Sequence, residues 1–169
     1  MLIIEDGTGV PDADAYISLA DADALHVSRD GAAWAGTDPD KEAAIRRATA
    51  FVDTLRFMGR PAGGRAQSLA WPRENAFDAD GFEISLTELP EEIKTAAGIL
   101  AFAELASPGL LFPEVNRAGL FKRQRVGPIE VEFAGNPASV EFQRTVVTAA
   151  MDLLTPLTIG RGVKFVGRA

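Results

Sequence analysis

Apolar residues recur at helical spacing in four stretches of the chain and alternate in one. The clearest helical stretch carries Ile45, Ala48, Val52 and Leu55, a 3-4-3 spacing that lines up one face. Arg46, Thr49, Asp53 and Arg56 are expected largely away from that face. Asp38 is expected to cap this helix, with Pro39 at its first position and Gly59, Arg60 and Pro61 stopping it. An earlier helix is expected to start after Ser18, which has capping-box spacing to Asp21, and to end near Asp30-Gly31. A third runs from about Pro90 towards Ala106. Ile93, Ala97 and Leu100 mark one of its faces and Ile99, Phe102 and Ala106 another. A helix apolar on two sides is buried on two sides, so this one is expected at the centre, with Ala96, Ala97 and Gly98 allowing close approach. The fourth is expected from about Asn136-Pro137 to before Pro156, with Phe142, Val146, Ala149 and Leu153 on its apolar face.

Alternation appears in Ile129, Val131 and Phe133 against Glu130 and Glu132. With residues 121–126 and the Gly127-Pro128 turn it predicts a hairpin, whose Lys122, Arg123 and Arg125 can pair across to the two glutamates. Residues 59–81 hold Pro61, Gly63, Gly64 and Pro72 but few periodic apolar positions, and read as an extended excursion. Long excursions of this kind tend to bind partners. The predicted fold is mainly α (α+β), in one domain. It comprises a four-helix core at about 15–155, a protruding hairpin at about 118–134 and an extended tail at 156–169.

Composition narrows the function. The chain has 169 residues and no cysteine, which excludes disulfide frameworks, cysteine-ligated zinc and cysteine nucleophiles. Neither a basic n-region nor an apolar run long enough to span a bilayer occurs, so the expectation is a soluble protein made in a cytoplasm. Seventeen Lys and Arg stand against 24 Asp and Glu, a net charge of −7. An acidic whole suits a conduit past which DNA slides better than a protein that grips phosphates. The tail runs the other way, with Arg161, Lys164 and Arg168 around the short apolar run that contains Phe165.

Candidate chemistry is sparse. His26 is the one histidine, and its place beside Leu25 and Val27 reads as packing; a hydrolase built on it is the least favoured option. Asp12, Asp14, Asp21 and Asp23 lack the register of a calcium loop and read as caps and solvated surface. Residues 59–65 lack the Gly-Lys-Ser/Thr of a phosphate cradle. The best nucleic-acid patch is Arg56, Phe57, Arg60, Arg65, Trp71 and Arg73, where aromatics interleave with guanidinium groups as single-strand binders require. The competing expectation makes Phe57 and Trp71 core or interface anchors, with the arginines paired to acidic neighbours. No catalytic residue, cofactor or metal site is assigned, and the chain reads as a non-enzyme.

Several segments together resemble a known family. Ala15-Tyr16-Ile17-Ser18 with Ala22-Asp23-Ala24 is similar to its N-terminal signature. Trp34 and Lys41-Glu42-Ala43-Ala44-Ile45-Arg46-Arg47-Ala48-Thr49 resemble its second helix. Gln67-Ser68-Leu69-Ala70-Trp71-Pro72-Arg73 resembles its most specific motif. Pro90 with Ile93, Lys94, Ala96 and Ala97, then Val126-Gly127-Pro128-Ile129-Glu130-Val131, then Leu154, Pro156 and Leu157, resemble its later elements in order. The family is the head–tail adaptor, or connector, of tailed phages and gene transfer agents, often labelled DnaT-like single-stranded DNA-binding proteins.

The resemblance implies a homo-oligomeric ring of twelve copies at the neck of a virion, assembled in the host cytoplasm. It implies docking to a portal protein above and a stopper or tail-terminator protein below, with DNA passing through the lumen without sequence-specific contact. Interface candidates are Arg60, Arg65, Trp71, Arg73, Lys122, Arg123, Arg125, Arg161, Lys164, Phe165 and Arg168, on the 59–81 excursion, the hairpin and the tail. Residues 75–86 receive no role. The alternative expectation is a single-stranded DNA-binding protein of DnaT-like type. Deleting residues 158–169 is expected to weaken portal docking and leave the fold intact.

Overall fold

Ser18 opens the first helix as its spacing requires. In the computed structural model, which describes residues 1–28, 34–112 and 147–159 and the backbone of two further strands, the Ser18 hydroxyl oxygen accepts the Asp21 N–H at 3.0 Å. The same hydroxyl donates to the Asp21 carboxylate at 2.6 Å. Helix α1 (Leu19–Val27) ends with the Ser28 N–H bonded to Ala24 O, ahead of Asp30-Gly31, which lie outside the described residues. Helix α2 (Asp38–Asp53) starts on the same device one residue earlier than expected. Thr37, not Asp38, is its cap, and Thr37 and Asp40 repeat the Ser18–Asp21 pairing. Pro39 sits in the first turn, where its missing N–H would have no helical partner.

Ile45, Ala48 and Val52 of α2 are buried, as the spacing predicts, and Leu55 beyond the helix end packs partly buried against the core. Thr49 and Asp53 differ from expectation. Thr49 is 1 % exposed and accepts the Tyr16 N–H at 3.3 Å, while Asp53 accepts the Tyr16 hydroxyl. The segment before α1 covers this flank of α2, where Thr49 and half-buried Asp53 each have a hydrogen-bond partner.

Helix α3 (Glu91–Ala106) packs against α1, α2 and helix α4 (Thr148–Leu154), which makes it the central element. Ile93, Ala97 and Leu100 are fully buried. Its second face is only partly covered: Ile99 and Phe102 are half-buried and Ala106 is exposed. A Cβ added at Gly98 would lie 2.4 Å from Leu25 Cδ2, so the small residue sets how closely α1 sits on α3. In α4 the buried residues are Ala150 and Leu154, while Ala149 is exposed and Leu153 half-buried. The apolar face is therefore turned by one residue, about 100° of helix, from the predicted one. Residues 136–146 of the predicted helix, Phe142 and Val146 among them, lie outside the described residues.

Four short strands complete the described structure. Strands β1 (Arg60–Pro61) and β2 (Arg73–Glu74) pair antiparallel across the excursion. Strands β3 (Arg123–Val126) and β4 (Ile129–Glu132) form the predicted hairpin. Its register sets Arg123 opposite Glu132 and Arg125 opposite Glu130, the base-to-acid pairing expected from sequence. The fold is mainly helical, α+β. No described helix is long and apolar enough to cross a membrane.

The expected tail departs from prediction at its start. Leu157 is 2 % exposed, Met58 N–H donates to Leu157 O at 3.0 Å, and Ile159 N–H donates to Arg56 O at 2.7 Å. Phe57 and Thr158 form an antiparallel bridge between these bonds. Residues 156–159 thus belong to the folded core, and 160–169 lie outside the described residues.

Candidate functional site

The Leu69-Ala70-Trp71-Pro72-Arg73 segment is threaded through the interior. Trp71 is 0 % exposed and meets Phe57 edge to face, with ring centroids 5.7 Å apart. Its main-chain N–H donates to the Tyr16 hydroxyl at 3.2 Å, and Ala70 N–H donates to Asp53 at 3.2 Å. Tyr16 in turn donates to Asp53. Three separated pieces of chain therefore meet at one half-buried carboxylate. Burial raises the Asp53 pKa, opposed by the hydrogen bonds from Tyr16 and Ala70 and by the Arg73 charge. Burial, then the neighbouring Asp53 charge, raises the Tyr16 pKa and keeps the phenol protonated.

Arg73 is a structural cation. Its guanidinium donates to Met58 O at 2.7 Å, Ala70 O at 2.9 Å and Gly59 O at 2.8 Å, and lies 6.0 Å from the Phe57 ring centroid. Burial draws its pKa down, and the neighbouring Asp53 carboxylate acts against that. Gln67 fastens the same loop, donating to Leu69 O at 2.8 Å and Pro72 O at 3.0 Å while accepting the Gly63 N–H at 2.7 Å. At Gly59, with φ of +69°, a Cβ would lie 2.1 Å from Glu74 O. Only glycine allows the two strands to approach there.

This corrects the interface set. Trp71 and Arg73 face inward, so they offer no surface to a partner or a base. Phe57, 3 % exposed, is likewise core. The sequence expectation of core anchors holds for both aromatics, but Arg73 binds carbonyl oxygens rather than an acidic side chain. Arg56, Arg60 and Arg65 do face solvent. Arg60 is ion-paired to Glu74 beside a cleft of about 460 Å³ lined by Arg60, Pro61, Ala62, Gly64, Arg65 and Glu74. The side chains of Arg123 and Arg125, and all of Lys122, Arg161, Lys164, Phe165 and Arg168, lie outside the described residues.

Several other titratable groups are tied into the scaffold. His26 is buried, its ring 4.6 Å from Trp34 and 5.1 Å from Phe102, and Nε2 donates to Gly98 O at 3.1 Å. Asp14 pairs with Arg46 at 2.7 Å, and Asp23 pairs with Lys41 at 2.8 Å and accepts the Trp34 indole N–H at 2.7 Å. Buried Glu5 accepts three N–H groups, from Gly7, Gly9 and Val10, each at 2.9 Å. Buried Glu104 accepts those of Gly109 at 2.7 Å and Leu111 at 3.0 Å. The two glutamates were not singled out from sequence; a glutamate followed by closely spaced glycines was the available signal at Glu5.

A family model described as "Putative DnaT-like ssDNA binding protein" matches residues 1–169. No curated protein and no solved structure matches the chain.

Proposed function

Taking as premise that the chain belongs to this DnaT-like ssDNA binding protein family, we propose that it is a ring-forming structural subunit. In this reading it is the head–tail adaptor of a tailed-phage-like particle, seated beneath the portal and docking the next neck or tail protein. One observation carries the reading. The family-like Trp71-Pro72-Arg73 motif is consumed by the fold, its indole fully buried and its guanidinium held by three carbonyls. A motif placed that way builds a scaffold and leaves no stacking platform on its own residues. The ordered resemblance along the chain and the net charge of −7 support the same reading. Quantitative peptide mass spectrometry on purified particles tests it. One copy of this chain per portal subunit is the expected result, and absence from particles would remove the adaptor reading.

The family description favours a second reading, single-stranded DNA binding. On this fold its contacts fall to outward Arg56, Arg60 and Arg65, not to Trp71 and Arg73. Binding through them would be chiefly ionic, weakening with salt by about 0.7 log units per phosphate contact per tenfold change. Fluorescence anisotropy on an oligodeoxynucleotide should then show an affinity lost in the Arg60→Ala, Arg65→Ala double variant. No binding at low salt would eliminate this reading.

A further inference from the structure

The segment left without a role, residues 75–86, holds a hydrogen-bonded aromatic hairpin. Phe77 and Glu83 form an antiparallel bridge, flanked by Ile84 N–H to Ala76 O at 2.9 Å and Asp78 N–H to Phe82 O at 2.9 Å. The Asp78 carboxylate accepts the N–H groups of Asp80 and Phe82, both at 2.9 Å, and Gly81 takes φ of +86°. This order holds apolar groups in water: Phe82 is 71 % exposed, Leu86 51 % and Phe77 41 %. An exposed aromatic on a pre-set turn loses little freedom on docking, which is what an interface anchor needs. The hairpin carries Asp78, Asp80 and Glu83, and no Lys or Arg occurs between Arg73 and Lys94 in the sequence.

The same chain carries a surface of opposite character. The cleft beside β1 is lined by Pro61, Ala62 and Gly64 together with the cations Arg60 and Arg65. Glu74 pairs with Arg60, while Arg65 has no ion-pair partner among the described residues. An aromatic flanked by carboxylates complements such a cleft in shape and charge, and a guanidinium favours an aromatic face.

We infer that the Phe82 hairpin of one copy docks into the Arg60–Arg65 cleft of a second copy. The two surfaces differ, so the contact is heterologous and repeats from copy to copy until it closes. The inference rests on the ring-forming reading and names its interface.

The chain lacks cysteine, so introduced thiols report contacts cleanly. Ala62→Cys and Ala79→Cys chains, which keep Phe82 in place and are distinguished by tags of different size, are mixed and oxidised. The expected result is a mixed disulfide dimer several-fold in excess of either homodimer. Adding Arg65→Glu to the Ala62→Cys chain should remove that excess, and adding Asp80→Arg to its partner should restore it. Mixed and like dimers in statistical yield would overturn the pairing. Such a failure alongside one copy per portal subunit would retain the adaptor and discard only this interface.

Discussion

Asp53 is where burial and charge conflict most directly. It lies at the junction of Tyr16, Ala70 and the Arg73 field, and burial lifts its pKa above the unfolded value of about 3.9. A group whose folded pKa is raised favours folding while neutral. That contribution is complete below the unfolded value and is lost as pH rises through the folded one. In Asp53→Asn the amide oxygen can still accept from Tyr16 and Ala70, and the side chain stays neutral throughout. Urea denaturation as a function of pH should therefore show wild type losing stability relative to Asp53→Asn from about pH 4 upward. The carboxylates of Asp23 and Glu42, whose partners lower their pKa values, act alike in both proteins and cancel in the difference. Sequence could not disclose this site. Periodicity placed Asp53 on an outer face because it measures position around one helix. Burial of that flank depends on residues 15–17 and 70–73, which arrive from elsewhere in the chain. Arg73 was misassigned for the same reason: a guanidinium among aromatics looks like a nucleic-acid contact until the carbonyls it serves are seen.

Among the elements, the excursion after α2 is defined by two glycines with the same backbone and different surroundings. Gly59 and Gly64 both have φ of +69°, yet a Cβ at Gly59 meets Glu74 O and Asn75 O, whereas one at Gly64 meets nothing within 4 Å. Alanine at Gly64 should cost only the left-handed penalty, about 1–2 kcal/mol. At Gly59 it should add an overpacking cost of about 1–3 kcal/mol and splay β1 from β2. Thermal unfolding of the two variants separates these contributions, and equal losses would refute the close approach. Helices with strong local signals were legible: α3 begins one residue after Pro90 and ends at Ala106 as expected. The capping residue of α2 and the buried face of α4 were not, since Thr37 and Asp38 are both good caps and α4 is too short for periodicity to fix its orientation.

At the scale of the whole molecule, a stretch read as tail belongs partly to the core. Removing residues 160–169 leaves the Thr158 bridge and the Ile159 bond in place. Removing 158–169 takes away the Ile159 bond to Arg56, and with it the bridge of Thr158 to Phe57, and should lower stability by about 0.5–1.5 kcal/mol for the one lost backbone hydrogen bond. Calorimetry on both truncations checks this, and only the shorter one is suited to a portal pull-down. The clasp itself has a consequence in time. It joins residues 56–58 to 157–159, a separation of about 100 positions, and such non-local contacts form late. On the ribosome, residues 56–58 emerge long before 157–159 have been synthesised. A nascent chain therefore holds an unpaired edge beside Phe57 until residues 157–159 have emerged, and a ribosome stalled short of Leu157 leaves that edge open to whatever strand is nearest.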